Sequence, residues 1–102
     1  MANTRDKIMA KIADKKVMMF SKTYCPFCTM AKDVLKNYNL GADEYEVWEI
    51  ENEANCSEIQ SVLREITGAQ TVPRVFINGK CIGGGSETKA LHAKGELRAM
   101  LN

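Results

Sequence analysis

Cys25 and Cys28, three positions apart, are the residues of this chain whose type and spacing could do chemistry. Pro26 and Phe27 stand between them, and the loop Ser21-Lys22-Thr23-Tyr24 and the apolar run Val17 to Phe20 precede them. Pro26 suits the first position of a helix, where its missing N–H costs nothing. Cys25 then sits at the helix start, and Cys28 lies one turn in on the same face. A sulfur at a helix N-terminus meets unpaired N–H groups and the positive end of the helix dipole, which favour thiolate over thiol. The pattern reads as a redox dithiol: Cys25 the nucleophile, Cys28 a more buried and less ionised resolving thiol, and Lys22 a nearby positive charge.

A lowered thiol pKa helps departure more than attack. A free thiol of pKa ~8.5 is about 3% ionised at pH 7, so full ionisation gains roughly 30-fold in thiolate. Nucleophilicity falls with a Brønsted slope of about 0.4–0.5, so a drop of about 4 units loses roughly 40- to 100-fold. The two effects nearly cancel. What remains is a better leaving group, which suits a cysteine regenerated by an external thiol.

The surrounding elements must hold this dithiol in place. Ile8, Met9, Ile12 and Ala13 fall on one helical face, predicting a first helix over roughly Thr4 to Asp14. Val17 to Phe20 reads as a strand buried on both faces. The helix that opens at Pro26 continues through Met30, Ala31, Val34, Leu35 and Tyr38, with Gly41 closing it. Tyr45, Val47 and Trp48 mark a second strand, and a third helix starts near Ser57 and stops at Gly68. Val75 to Ile77 and Lys80 to Ile82 flank Asn78-Gly79, the preferred pair for a two-residue hairpin turn. Gly83-Gly84-Gly85 precedes Ser86, a predicted N-cap for a helix through Leu91, and Leu97, Met100 and Leu101 suggest a closing helix. The expected fold is α/β: a four-stranded mixed sheet flanked by helices on both faces, its first two strands parallel.

The chain has 102 residues, read as one domain over 1–102. A net charge of +1 implies no nucleic-acid partner. No apolar stretch is long enough to span a membrane, and Met1 to Lys16 has no apolar secretory core. The expectation is a cytoplasmic monomer, a setting where Cys-x-x-Cys is more often catalytic or metal-binding than structural.

Three motifs in order, Lys22-x-Tyr24-Cys25-Pro26-Phe27-Cys28, Thr71-Val72-Pro73 and Gly83-Gly84 followed by Ser86-Glu87, make the chain resemble a dithiol glutaredoxin with a thioredoxin-like fold over nearly its whole length. The resemblance implies a glutathione-dependent oxidoreductase that reduces glutathionylated and disulfide-containing proteins. Glutathione is its co-substrate, with no tightly bound cofactor and no metal. It implies that Val72, after Thr71, offers its backbone to the cysteinyl unit of glutathione, in the manner of strand addition, and that Pro73 is cis. It further implies that Gly84 allows close approach, that the Ser86 N–H holds the γ-glutamyl carboxylate, and that Glu87 meets the ammonium. Lys22 and Gln60 are candidates for the glycyl carboxylate and Tyr24 for shaping the sulfur site. Gln60 has a second explanation, because Ser57-x-x-Gln60 fits a capping box.

Two other readings of the cysteines stay open at this point: a zinc site completed by Cys56 and Cys81, and a thiol carrier or iron–sulfur protein on the same fold. The first lacks the second close Cys or His pair that structural zinc sites show. A carrier would need the cysteines but not the groove residues. His92, Met18, Met19, Met30 and Arg74 read as structural or surface positions.

Overall fold

A computed structural model describes residues 3–102. Helix α1 (Thr4–Asp14) leads into strand β1 (Val17–Ser21), helix α2 (Pro26–Leu35) and a 3-10 turn, Lys36–Tyr38. Strand β2 (Tyr45–Glu49), helix α3 (Cys56–Thr67), strands β3 (Arg74–Ile77) and β4 (Lys80–Gly83), and helices α4 (Gly85–Ala93) and α5 (Glu96–Leu101) follow. The sheet order is β2-β1-β3-β4. β1 runs parallel to β2 and antiparallel to β3, which pairs antiparallel with β4. The α/β fold with a four-stranded mixed sheet is therefore as the sequence implied.

The central strand divides the core by its pleat, since alternate residues face opposite sides. Met18 and Phe20 join Ile8 and Ile12 of α1 with Ile59, Val62 and Leu63 of α3. Val17 and Met19 join Ala31, Val34 and Leu35 of α2 with Leu97 and Leu101 of α5. Every residue of β1 is buried, which explains an apolar run without alternation. The Asn78-Gly79 turn has positive φ at both residues, +50° and +84°, as a type I′ hairpin requires.

Local details differ from expectation. Met9 and Ala13 face solvent, so the buried stripe of α1 is Ile8 and Ile12 alone. α2 stops at Leu35, and the chain turns at Asn39 (φ +51°), two residues before Gly41, because Asn tolerates the left-handed region. α3 starts at Cys56, one residue before the expected Ser57. The Asn55 amide binds the Thr4 hydroxyl (3.0 Å) instead of capping α3. Ser57 thus lies inside the helix, and the capping box with Gln60 does not form. α4 begins at Gly85 rather than after Ser86: Glu87 reaches back to the Gly84 N–H (2.6 Å) and the Thr88 hydroxyl to the Gly84 carbonyl (2.8 Å), which draws the helix start forward. Met30 is only partly buried.

Candidate active site

The two cysteines lie where β1 hands over to α2, and the fold gives them opposite surroundings. Cys25 is the N-cap of α2, and its sulfur accepts the Cys28 N–H (3.3 Å), an otherwise unpaired donor of the first helical turn. The Cys25 thiol also donates to the Val72 carbonyl (3.7 Å), so it lies against the segment that precedes β3. Cys25 is partly exposed and Cys28 wholly buried. Burial first, then the hydrogen bond with Cys25, pushes the Cys28 thiol up from its ordinary 9.0 to about 11, against the Lys22 N–H (3.5 Å) and Ser21, which act in the other direction. Both are free thiols. The Thr23 N–H and hydroxyl bind the Glu51 carboxylate, pinning the loop that carries Lys22 and Tyr24.

Two open cavities meet at Thr71 and Val72, beside the Cys25 sulfur. One, of about 350 Å³, is lined by Lys22, Tyr24, Cys25, Pro26, Gln60, Thr71 and Val72. The other, of about 340 Å³, adds Pro73, Gly84, Ser86 and Glu87. Together they gather every site residue expected from the sequence except Cys28, which lies buried behind Cys25. The Val72–Pro73 peptide is cis, as the resemblance implied. At one end the Lys22 ammonium meets the Gln60 amide oxygen (3.3 Å), while the Gln60 nitrogen donates to the Gln70 carbonyl (3.0 Å). Gln60 is therefore held against Lys22 by bonds that have nothing to do with capping. At the other end Ser86 is the second residue of α4, so its N–H belongs to the turn that lacks intrahelical acceptors. One Glu87 oxygen is committed to the Gly84 N–H, which narrows what its carboxylate can offer a ligand.

Sequence reasoning missed three lining residues. Phe27, half exposed, joins the expected Tyr24, at 70% exposure, as a large side chain open to solvent around the sulfur. Gly85 lines the second cavity, although the glycine run was itself visible in the sequence. Arg74 was read as a surface charge, yet it lines the same cavity, with its Nε donating to the Pro73 carbonyl (2.9 Å). Its place next to Pro73 was the available signal.

The zinc reading does not survive the geometry. Cys56 and Cys81 pack against the core on the α1/α3 side of the sheet, whereas α2, which carries Cys28, packs on the other. Among the described residues no three His, Cys, Asp or Glu side chains gather as a metal site. His92 is satisfied by the Tyr38 hydroxyl (2.6 Å) and stacks edge-on against its ring.

Comparison with known proteins agrees with this geometry. The family described as Glutaredoxin matches residues 17–82. A glutaredoxin of Ricinus communis is 48% identical over 101 residues, 99% of this chain and 94% of that one. The chain is 43% identical over 96 residues to an uncharacterized monothiol glutaredoxin of Caenorhabditis elegans, a match covering 94% of this chain and 64% of the relative's length. The crystal structure of a buckwheat glutaredoxin–glutathione complex superposes with a TM-score of 0.88 at 34% identity, covering 96% of this chain and 86% of that one. The dithiol at a helix start, the groove beside it and these matches together establish that the chain belongs to the glutaredoxin family, glutathione-dependent thiol–disulfide oxidoreductases built on a thioredoxin-like fold.

Proposed function

We propose that the chain reduces protein–glutathione mixed disulfides and protein disulfides by exchange at Cys25, with glutathione as reductant. The observation that carries this reading is the groove: a cationic end at Lys22, an open backbone at Val72 and a helix start at Ser86 all converge on one accessible sulfur. Glutathione has a carboxylate at each end and a peptide between, and these three features match it in order. A helix N-terminus suits the γ-glutamyl carboxylate, Lys22 beside Gln60 the glycyl carboxylate, and Val72 the peptide. The structurally similar buckwheat protein is a glutathione complex, which supports the same ligand here.

The Cys25 thiolate attacks the glutathione sulfur of a glutathionylated protein. A Cys25–glutathione disulfide forms, and the protein thiolate leaves with the electron pair and takes a proton from water. A second glutathione thiolate attacks the glutathione sulfur of that disulfide, releasing oxidised glutathione and the Cys25 thiolate. For protein disulfides, Cys28 displaces the reduced substrate from Cys25 instead. Being buried, Cys28 is shielded from external disulfides, so entry is at Cys25. Replacing Cys25 with Ser is expected to abolish both activities, and Cys28→Ser to remove only the second. Assays on metal-free protein with a glutathionylated peptide and a protein disulfide check this; loss of deglutathionylation in Cys28→Ser overturns the division of labour.

The same reading puts the chain in a reducing compartment, the cytoplasm, as a monomer. Four unpaired thiols accord with that setting. Fractionation and light scattering of the purified protein test the two statements.

A further inference from the structure

The resolving thiol has a neighbour with no part in the exchange scheme. β1 is apolar from Val17 to Phe20 and then ends on Ser21, which is fully buried. A buried hydroxyl is costly unless it is hydrogen-bonded. The pleat sets its direction: Ser21 follows Val17 and Met19 toward the α2 side, where Cys28 lies buried in the first turn. Its bond to the Lys22 carbonyl is long, at 3.5 Å, and the hydroxyl holds the nearby Cys28 thiol below where burial alone would push it. The Lys22 N–H approaches that sulfur at 3.5 Å. The neighbouring charges have other partners. The Lys22 ammonium is turned to Gln60, Lys32 of α2 pairs with Glu49 of β2, and Glu87 of α4 is bonded to the Gly84 N–H. Cys25 is the titratable group that acts on Cys28 through charge.

We infer that Ser21 is a positioning residue for the resolving step: its hydroxyl, with the Lys22 N–H, donates to the Cys28 sulfur whenever that sulfur carries negative charge. This rests on the dithiol route proposed above. Charge appears there twice. Going forward, the Cys28 thiolate attacks the Cys25 sulfur of the mixed disulfide; the Cys25–Cys28 bond forms, and the protein thiolate leaves and is protonated by water. On return, a glutathione thiolate attacks the Cys25 sulfur, and Cys28 departs as the thiolate. A thiol held near 11 is rarely ionised for the first step and leaves poorly in the second, so the loss of a donor slows both. Deglutathionylation through Cys25 alone uses neither.

The test pairs kinetics with a titration. Ser21→Ala is expected to slow protein-disulfide reduction roughly ten- to a hundredfold, the scale of one hydrogen bond to a charged sulfur, while deglutathionylation keeps its rate and Ser21→Thr restores the lost activity. In a Cys25→Ser background, the alkylation pH profile of Cys28 should move upward on adding Ser21→Ala. An unmoved profile overturns the assignment, as does an equal loss of deglutathionylation, the mark of a merely structural role. Wild type no faster than Cys28→Ser on a protein disulfide overturns the dithiol route itself. Wild type faster than Cys28→Ser, with Ser21→Ala equal to wild type, overturns the Ser21 assignment alone.

Discussion

Gly85→Ala sets two physical effects of opposite sign against each other. In an open helix Ala is preferred to Gly by about 1 kcal/mol, so propensity alone predicts stabilisation. Position 85 is not open. A methyl there would lie 2.5 Å from the Phe27 carbonyl oxygen and 3.1 Å from the Phe27 Cβ, both belonging to the first turn of α2. The oxygen is backbone and cannot swing aside, so α4 must move off α2 by several tenths of an ångström. Overpacking of this kind costs about 1–3 kcal/mol, and contact with rigid backbone belongs at the upper end. Net of propensity, the variant should lose about 2 kcal/mol, or roughly 8–16 °C in Tm for a domain of this size. Moving α4 also carries Ser86 and Glu87 away from Cys25, so KM for glutathione should rise, by roughly tenfold. Gly68→Ala is the control. Gly68 has φ +86° with nothing within 4 Å of an added Cβ, so only backbone strain of about 1–2 kcal/mol applies, with KM unchanged. Urea denaturation and steady-state kinetics on both variants decide the matter. A Gly85→Ala protein as stable as wild type, or more so, with wild-type KM, refutes the steric argument.

Two further outcomes follow from the charges and buried groups. Lys22→Gln should raise KM for glutathione about fivefold at low salt, with the difference shrinking in 1 M salt, because an exposed attraction is screened; a salt-independent effect would point to lost packing instead. The Tyr45 hydroxyl is buried without a partner among the described residues, and burial and then the nearby Glu49 push the phenol up from 10.0 to about 12. A folded pKa above the unfolded value gives stability that is complete below the unfolded pKa and lost as pH rises through the folded one. Tyr45 and Cys28 should therefore make the fold labile to alkali between about pH 9 and 12. Tyr45→Phe should be neutral or stabilising by up to about 1 kcal/mol at pH 7 and should flatten that alkaline decline in urea midpoint. An unchanged decline would show that the phenol does not contribute to it.

The fold was legible because periodicity states which faces are buried. Val17 to Phe20 reads as a two-faced strand, and Asn78-Gly79 as a hairpin turn, by arguments local to a few residues. The misread positions turn on tertiary contacts. Ser57 and Gln60 have the spacing of a capping box, but Asn55 is drawn to Thr4 on α1, and the helix starts one residue earlier. Ser86 is a good N-cap by type, yet Glu87 and Thr88 close on Gly84 and move the start to Gly85. Met9 and Ala13 satisfy helical spacing, but the arc of α1 that meets the sheet is narrow enough for Ile8 and Ile12 only.

The site was legible to a different depth. Motif order told which residues meet, and the spacing of Cys25 and Cys28 told that the sulfurs share a helical face. Spacing cannot say that the two sulfurs differ in kind. That difference comes from where β1 ends. Its last residue, Ser21, is still inside the core, so the first turn of α2 is pressed against the strand and Cys28 is sealed there, while Cys25 stays at the rim as the cap. An external disulfide can reach only the rim, and the sealed thiol can meet only the sulfur beside it. The proposed division between an entry sulfur and a resolving sulfur thus rests on the length of a five-residue strand. Shifting the end of β1 relative to α2 would alter the chemistry without changing either cysteine.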